Sequence, residues 1–231
     1  MTVLAVQGLE LVRGLADQAF RVSLPELTLE GGEVIAITGP SGCGKSTLIE
    51  ALGLLLTPST IAHFELQGQT VTPWVRGNAD PALAALRGQH FGFVPQSGGL
   101  LPYLTVHQNI ALQARVQQRP LDTAWLQTLE NRLGLQGLGS RRAGTLSVGQ
   151  RQRVSFLRAL AHRPSLLLAD EPTAALDPDH AQTLFEMMLD VVRDAQITTL
   201  VVTHEWSLVD SLGLKPLRAQ RVEPSHMAFE W

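Results

Sequence analysis

The sequence predicts an α/β fold: a parallel-sheet core with an N-terminal antiparallel β lobe and an inserted α-helical lobe. Three observations predict it. Residues 34–56 run from a short apolar strand (VIAIT) through a glycine-rich loop into a leucine-dense helix. Residues 166–202 repeat strand, helix and strand with short links, which forces parallel pairing. Between them, roughly 96–163, helical patterns follow one another with no strand, as an inserted lobe would. One domain over residues 1–231 accommodates all three, with core and β lobe in 1–95 and 164–231.

In order along the chain, residues 3–12 and 20–29 alternate apolar and polar, the pattern of two antiparallel strands. Residues 64–71 (FELQGQTV) form a strand pair turning at Gly68, and 81–86 (PALAAL) a helix leading to the strand at 90–94. Helices follow at 105–115, with Thr105 as N-cap, at 121–135, and at 147–161, whose Arg151, Arg153 and Arg158 make one basic face. Residues 178–195 are amphipathic and helical, and 198–202 (TTLVV) form a strand. The tail beyond Val209 is too short for a further domain, and Trp231 either packs on the core or frays.

The loop Gly39-Pro40-Ser41-Gly42-Cys43-Gly44-Lys45-Ser46-Thr47 matches the phosphate-binding pattern G-x-x-x-x-G-K-[ST]. Its glycines let backbone N–H groups turn toward an anion, and the helix that follows adds its positive end. A triphosphate fits best, with Lys45 reaching the outer phosphates, Ser46 a ligand to Mg²⁺ and Thr47 near the α-phosphate. Asp170 and Glu171 end a buried strand, where ligands of open α/β sheets collect. Asp170 suits the Mg²⁺ shell and Glu171 the polarising of a water. Gln96 directly after a strand is, taken alone, as readily a polar cap, and His204 a capped strand end. Cys43 faces either the phosphate, where alkylation would inactivate and ATP protect, or the core as a small hydrophobe. Leu146-Ser147-Val148-Gly149-Gln150 opens a helix with Ser147 as N-cap, a second anion site in a chain that already has one. Two such chains would sandwich each nucleotide.

The phosphate loop, Gln96, LSVGQ, LLLADE, AALD and His204 stand in the order found in ABC-type ATPases, and the resemblance covers nearly the whole chain. It implies a P-loop NTPase (RecA-like) core and a head-to-tail dimer around two Mg-ATP, with a second copy of the chain or a related ATPase. By the same resemblance, Gln96 contacts Mg²⁺ and reports to a membrane partner, His204 holds the γ-phosphate, and Asp177 crosses to the other subunit's phosphate loop. Residues 90–110 resemble the lipoprotein-release, cell-division and macrolide-export group, whose separate four-helix permeases imply a place on the cytoplasmic face of the inner membrane. Leu100, Leu101 and Tyr103 would then meet the permease. Two departures stand out: Val148 replaces the usual signature glycine, and no aromatic near residues 11–14 is placed to stack on adenine, a task left to Arg13 or, by a shifted loop, Phe20.

Bulk properties narrow the alternatives. A net charge of −3 gives no reason to expect nucleic acid. No window approaches the ~20 apolar residues of a membrane span, and residues 1–14 lack the pattern of a secretory signal. The single Cys43 excludes an intrachain disulfide, in keeping with a reducing compartment. The seven histidines and one cysteine form no ligand-spaced metal cluster. Besides a transporter ATPase, the motifs fit a non-transport mechanical switch on a division-type membrane complex. Soluble repair ATPases carry coiled-coil arms between the phosphate loop and the signature, and translation ATPases carry two nucleotide domains; neither pattern is here.

Overall fold

The computed structural model describes residues 1–14 and 19–231. Its strands form one ten-stranded sheet in the order β5-β4-β1-β2-β10-β9-β3-β8-β7-β6. The β1 (Thr2–Arg13) and β2 (Phe20–Glu30) strands pair antiparallel, Val6 opposite Leu27 and Leu11 opposite Val22. Their buried leucines and valines face one core, as the alternating pattern requires. The turn in β4 (His63–Leu66) and β5 (Gln69–Thr70) falls where the sequence places it, with Gly68 at φ 76°.

The β3 (Val34–Thr38), β6 (Phe91–Val94), β7 (Leu166–Asp170) and β8 (Thr198–Val202) strands pair in parallel, in the order β3-β8-β7-β6. They read as continuous apolar runs because both faces are covered. Ile35, Ile37, Leu166, Leu168, Leu200 and Val202 join the cluster that contains α1 (Lys45–Leu52). Ala36, Leu167, Ala169 and Val201 join a second cluster with α6 (Val148–Leu160) and α7 (Pro178–Asp194). Between β6 and β7 come α4 (Val106–Val116), α5 (Thr123–Arg132) and α6, with no strand among them. Thr105 caps α4 through a reciprocal capping box with Gln108, and Ser147 does the same for α6 with Gln150.

Three features depart from the sequence reading. The first helix stops at Leu52 rather than running to Leu56: Gly53 caps it and Leu54 turns left-handed at φ 58°. A short α2 (Thr72–Arg76) precedes α3 (Asp80–His90), its Thr72 hydroxyl accepting from the Phe64 N–H at 2.7 Å. The segment beyond Val209 is structural: after α8 (Trp206–Ser211), β9 (Lys215–Glu223) lies parallel to β3, and β10 (His226–Glu230) joins β9 to β2. This hairpin makes the β lobe and the parallel core one sheet. Trp231 is held beneath Lys215, whose ammonium lies 3.8 Å from the ring centre. Among the described residues, no helix is long and apolar enough to cross a membrane.

Candidate functional site

The phosphate loop, Gln96, Asp170, Glu171 and His204 all lie at the carboxyl end of one of four neighbouring parallel strands. The phosphate loop follows β3, His204 follows β8, Asp170 and Glu171 end β7, and Gln96 follows β6. Parallel pairing alone brings these distant stretches together, because it places all four carboxyl ends on one edge.

The loop is shaped by its glycines. Gly42 and Gly44 have φ of 75° and 98°, and a Cβ on Gly44 would run into Val22 Cγ2 of β2. Pro40, Ser41, Gly42 and Ser46 remain exposed, whereas the Lys45 side chain is buried. Its Nζ donates to the carbonyls of Gly39 (2.9 Å) and Pro40 (3.0 Å). Those carbonyls hold the ammonium inside the curve of the loop until a stronger acceptor arrives. Cys43 is buried in the first cluster, and desolvation raises its thiol pKa against the partial pull of Lys45. Of the two readings of Cys43 the core-facing one holds, so this position offers the loop only its backbone, and the expectation of ATP-protected alkylation is withdrawn.

Glu171 is the meeting point. Its backbone is left-handed at φ 45°, held by its N–H donating to the Val202 carbonyl at 3.1 Å. Its carboxylate accepts from Gln96 Nε2 at 3.1 Å through one oxygen and lies 3.5 Å from His204 Nδ1 through the other. One carboxylate thus brings together side chains that follow two other strands. Asp170 is 8% exposed, and its Oδ1 has no hydrogen-bond partner. Desolvation raises its pKa, with the Ser46 hydroxyl pulling it back, Glu171 adding to the rise and Lys45 opposing it. A buried carboxylate oxygen left without a donor beside an exposed serine hydroxyl suits a divalent cation completed by oxygens from outside the protein. Among the described residues, no three His, Cys, Asp or Glu side chains gather into a metal cage.

The stretch expected to form a second anion site, residues 146–150, stands apart from this cluster. Ser147, Val148 and Gly149 share a groove of about 490 Å³ with Leu176, Asp177 and His180. Leu146 is buried and Val148 is 38% exposed. Asp177 caps α7 and accepts from His180 Nδ1 at 2.8 Å, and this hydrogen bond lowers its carboxyl pKa. At the base-binding end, Phe20 pairs with Arg13 across the strands and lies near Gly44, its Cε1 3.7 Å from where a Gly44 Cβ would stand. The turn that would shift Phe20 toward a base runs through residues 15–18, outside the described residues.

The segment expected to meet a partner is split in function. Leu100 packs against the second cluster, and Leu101 is tied to α4, its N–H donating to Asn109 Oδ1 at 2.8 Å. Tyr103 is 67% exposed. An apolar groove of about 480 Å³ is lined by Pro95 and Gly99 of the same segment, but otherwise by Leu55, Phe91, Phe93 and Val116, with Arg158 at its polar side. Sequence reasoning missed this groove because its walls come from five separate stretches.

A glycine-rich phosphate loop opening a helix, beside two carboxylates on a neighbouring parallel strand, defines a P-loop nucleoside-triphosphate hydrolase. The family model described as ABC transporter matches residues 23–174. The lipoprotein-releasing system ATP-binding protein LolD of Bordetella avium (strain 197N) is 42% identical over 182 residues, 78% of this chain and 76% of its own length. The protein of that name from Idiomarina loihiensis is 38% identical over 209 residues, 90% of this chain and 86% of its own. Among solved structures, the dimeric bacterial ABC transporter cassette MJ0796 superposes with a TM-score of 0.77 at 26% identity, covering 90% of each chain. Its post-hydrolysis state bound to ADP and Pi gives 0.76, also at 26% identity, covering 89% of this chain and 90% of that one. The chain belongs to the ABC transporter family and is an ATP-hydrolysing subunit of a membrane ABC transporter.

One consequence concerns Asp170. Burial of its charge costs the empty protein stability that Ser46 and Lys45 offset in part and an added cation would offset further. Asp170→Asn is expected to raise the nucleotide-free unfolding free energy by about 1 kcal/mol and to abolish further stabilisation by ATP with Mg²⁺. Denaturant titration with and without the ligands checks both; a variant less stable than wild type when empty would refute the assignment.

Proposed function

We propose that two copies of this chain close head-to-tail on two Mg-ATP, and that the cycle of closure and hydrolysis drives separate permease subunits of the lipoprotein-release type. The observation that carries the hydrolytic reading is the single Glu171 carboxylate that accepts from Gln96 and lies 3.5 Å from His204, each following another strand. In this reading Glu171 orients and deprotonates the attacking water, Gln96 fixes the carboxylate, and His204 is poised to donate to the γ-phosphate. Lys45 leaves the Gly39 and Pro40 carbonyls for the β- and γ-phosphates, which offer it full negative charge. The backbone N–H groups of residues 40–47 line the phosphates. Ser46, Asp170 and Gln96 are the residues that would hold Mg²⁺, which supplies charge neutralisation of the phosphoryl oxygens. Glu171→Gln should lower ATP turnover by about 10²- to 10⁴-fold while ATP affinity persists; turnover at the wild-type rate would remove Glu171 from the chemistry.

Dimerisation is supported by a glycine the fold itself does not need. Gly149 lies in the first turn of α6, and a Cβ there would meet only Leu176 Cδ2 at 3.8 Å, an ordinary contact. A residue left bare where its own chain leaves room points to close approach from outside, here the nucleotide bound to the other subunit. Val148 beside it leaves the cap formed by Ser147 and Gln150 intact. Asp177, on the same groove, would reach the opposing phosphate loop. Gly149→Ala should therefore stabilise the isolated chain by up to about 1 kcal/mol through helix propensity yet block ATP-dependent dimerisation, as light scattering with the Glu171→Gln background would read. Unaltered dimerisation would refute the sandwich.

The permease reading is supported by the relatives named for lipoprotein release, and the apolar groove beside Gly99 would be its docking site. An apolar trough walled by Phe91, Phe93 and Val116, with Arg87 and Arg158 in reach, suits a short amphipathic segment carrying an acidic residue. Tyr103 extends the apolar surface along the same segment. The subunit would then lie on the cytoplasmic face of the inner membrane, held by its partner. A photocrosslinker at Val116 in cells should capture a polytopic membrane protein with a large extracytoplasmic domain; capture of soluble proteins alone would sink this partnership.

A further inference from the structure

The helix that opens with the signature also grips the loop that carries Gln96. Gln152, Ser155 and Arg158 are three residues apart on α6 and so share one face. Gln152 Nε2 donates to the Gln96 carbonyl at 3.3 Å, and Ser155 Oγ to the Gly98 carbonyl at 2.6 Å. Arg158 is bidentate: Nη1 donates to the Gly99 carbonyl at 2.7 Å and Nη2 to that of Gly98 at 3.1 Å. Gln152 and Ser155 are buried. The loop needs such a hold. Gly98 and Gly99 are both left-handed, at φ 75° and 58°, and a single backbone bond within the turn, from the Gly98 N–H to the Pro95 carbonyl at 2.8 Å, closes it. Two adjacent glycines are also the most mobile backbone the chain has to offer.

This ladder has a chemical end and an open end. At one end, Gln96 reaches Glu171 at 3.1 Å. At the other, Arg158, Gly99 and Pro95 line the apolar groove. The Arg158 guanidinium is largely desolvated, which lowers its pKa; it remains charged and makes its carbonyl bonds strong ones.

We propose that Arg158 is a positioning residue for hydrolysis: by holding the carbonyls of Gly98 and Gly99 it sets where Gln96 stands relative to the Glu171 carboxylate. The inference rests on the reading of Glu171 and Gln96 given above. It adds that a segment seated in the groove meets the same guanidinium that holds the Gln96 loop. Docking and chemistry then share one side chain, and moving Arg158 moves Gln96.

The test is a double-mutant cycle on the full chain, with turnover and ATP affinity measured separately. Arg158→Ala is expected to lower kcat about tenfold with ATP affinity retained, since the loss is of alignment rather than binding. Arg158→Lys, with a single ammonium for two carbonyls, should fall between. In a Gln96→Ala background the Arg158→Ala change should alter kcat by less than about twofold, because the group being positioned is gone. Ser155→Ala, which deletes one bond to the same loop and leaves the fold's packing intact, runs in the same cycle should Arg158→Ala fail to fold. An equal loss of kcat in both backgrounds, or no loss from either variant, overturns the proposal. Turnover by Glu171→Gln at the wild-type rate would instead bring down the underlying site reading, so the two failures are distinguishable.

Discussion

Parallel pairing of β3, β8, β7 and β6 is the constraint on which the rest depends. Adjacent strands stand about 4.8 Å apart, so four consecutive carboxyl ends lie within about 14 Å. Residues from near positions 40, 96, 170 and 204 become neighbours with no long-range device beyond backbone hydrogen bonding. The sheet can hold that arrangement because both its faces are dry. Ile35, Leu168 and Val202 pack on the α1 side, while Ala36, Leu167 and Val201 pack on the α6 and α7 side. A one-residue slip of a strand would exchange the two sets and present each to a helix layer shaped for the other.

At the edge so created, the protein carries several local costs. Asp170 is ionisable, nearly buried and short of a donor, and Glu171 sits in a backbone region that side chains other than glycine rarely occupy. Lys45 is turned inward onto loop carbonyls. Each of these is a poor arrangement for an empty protein and a good one for a protein about to receive polyphosphate and a cation. The same logic separates Gly44 from Gly149. The first is required by the chain's own Val22, and the second by nothing among the described residues.

The sequence made the parallel core, the helical lobe and the individual site residues legible because each has a local signature. Apolar runs mark β3, β7 and β8; Thr105 and Ser147 announce their helices through capping boxes; the phosphate loop and LSVGQ are fixed-spacing motifs. What escaped was carried by tertiary contact. In β9 only Leu217 is buried, so KPLRAQRVE looks like a polar tail until β3 and β10 lie on either side of it. The end of α1 was hidden because leucines continue past Gly53, although Leu54 buries in a turn instead of a helix and Leu55 is exposed. The direction of the Cys43 side chain was undecided by its neighbours in sequence, being set by packing against Gly39. The apolar groove beside Gly99 could not be read at all, since its lining is assembled from widely separated stretches.

The β9–β10 hairpin bears on how the chain comes into being. A Cβ on Gly39 would stand 2.6 Å from Ala219 Cβ, so the first residue of the phosphate loop rests against a strand encoded some 180 positions later. Until residues 215–230 have been synthesised, β3 has a bare edge where β9 belongs, and β2 lacks its link to the core. During translation the nucleotide loop is therefore present long before the wall that shapes it. Such an interval of exposed strand edge is the natural point for a chaperone to attend the chain or for two nascent chains to pair wrongly.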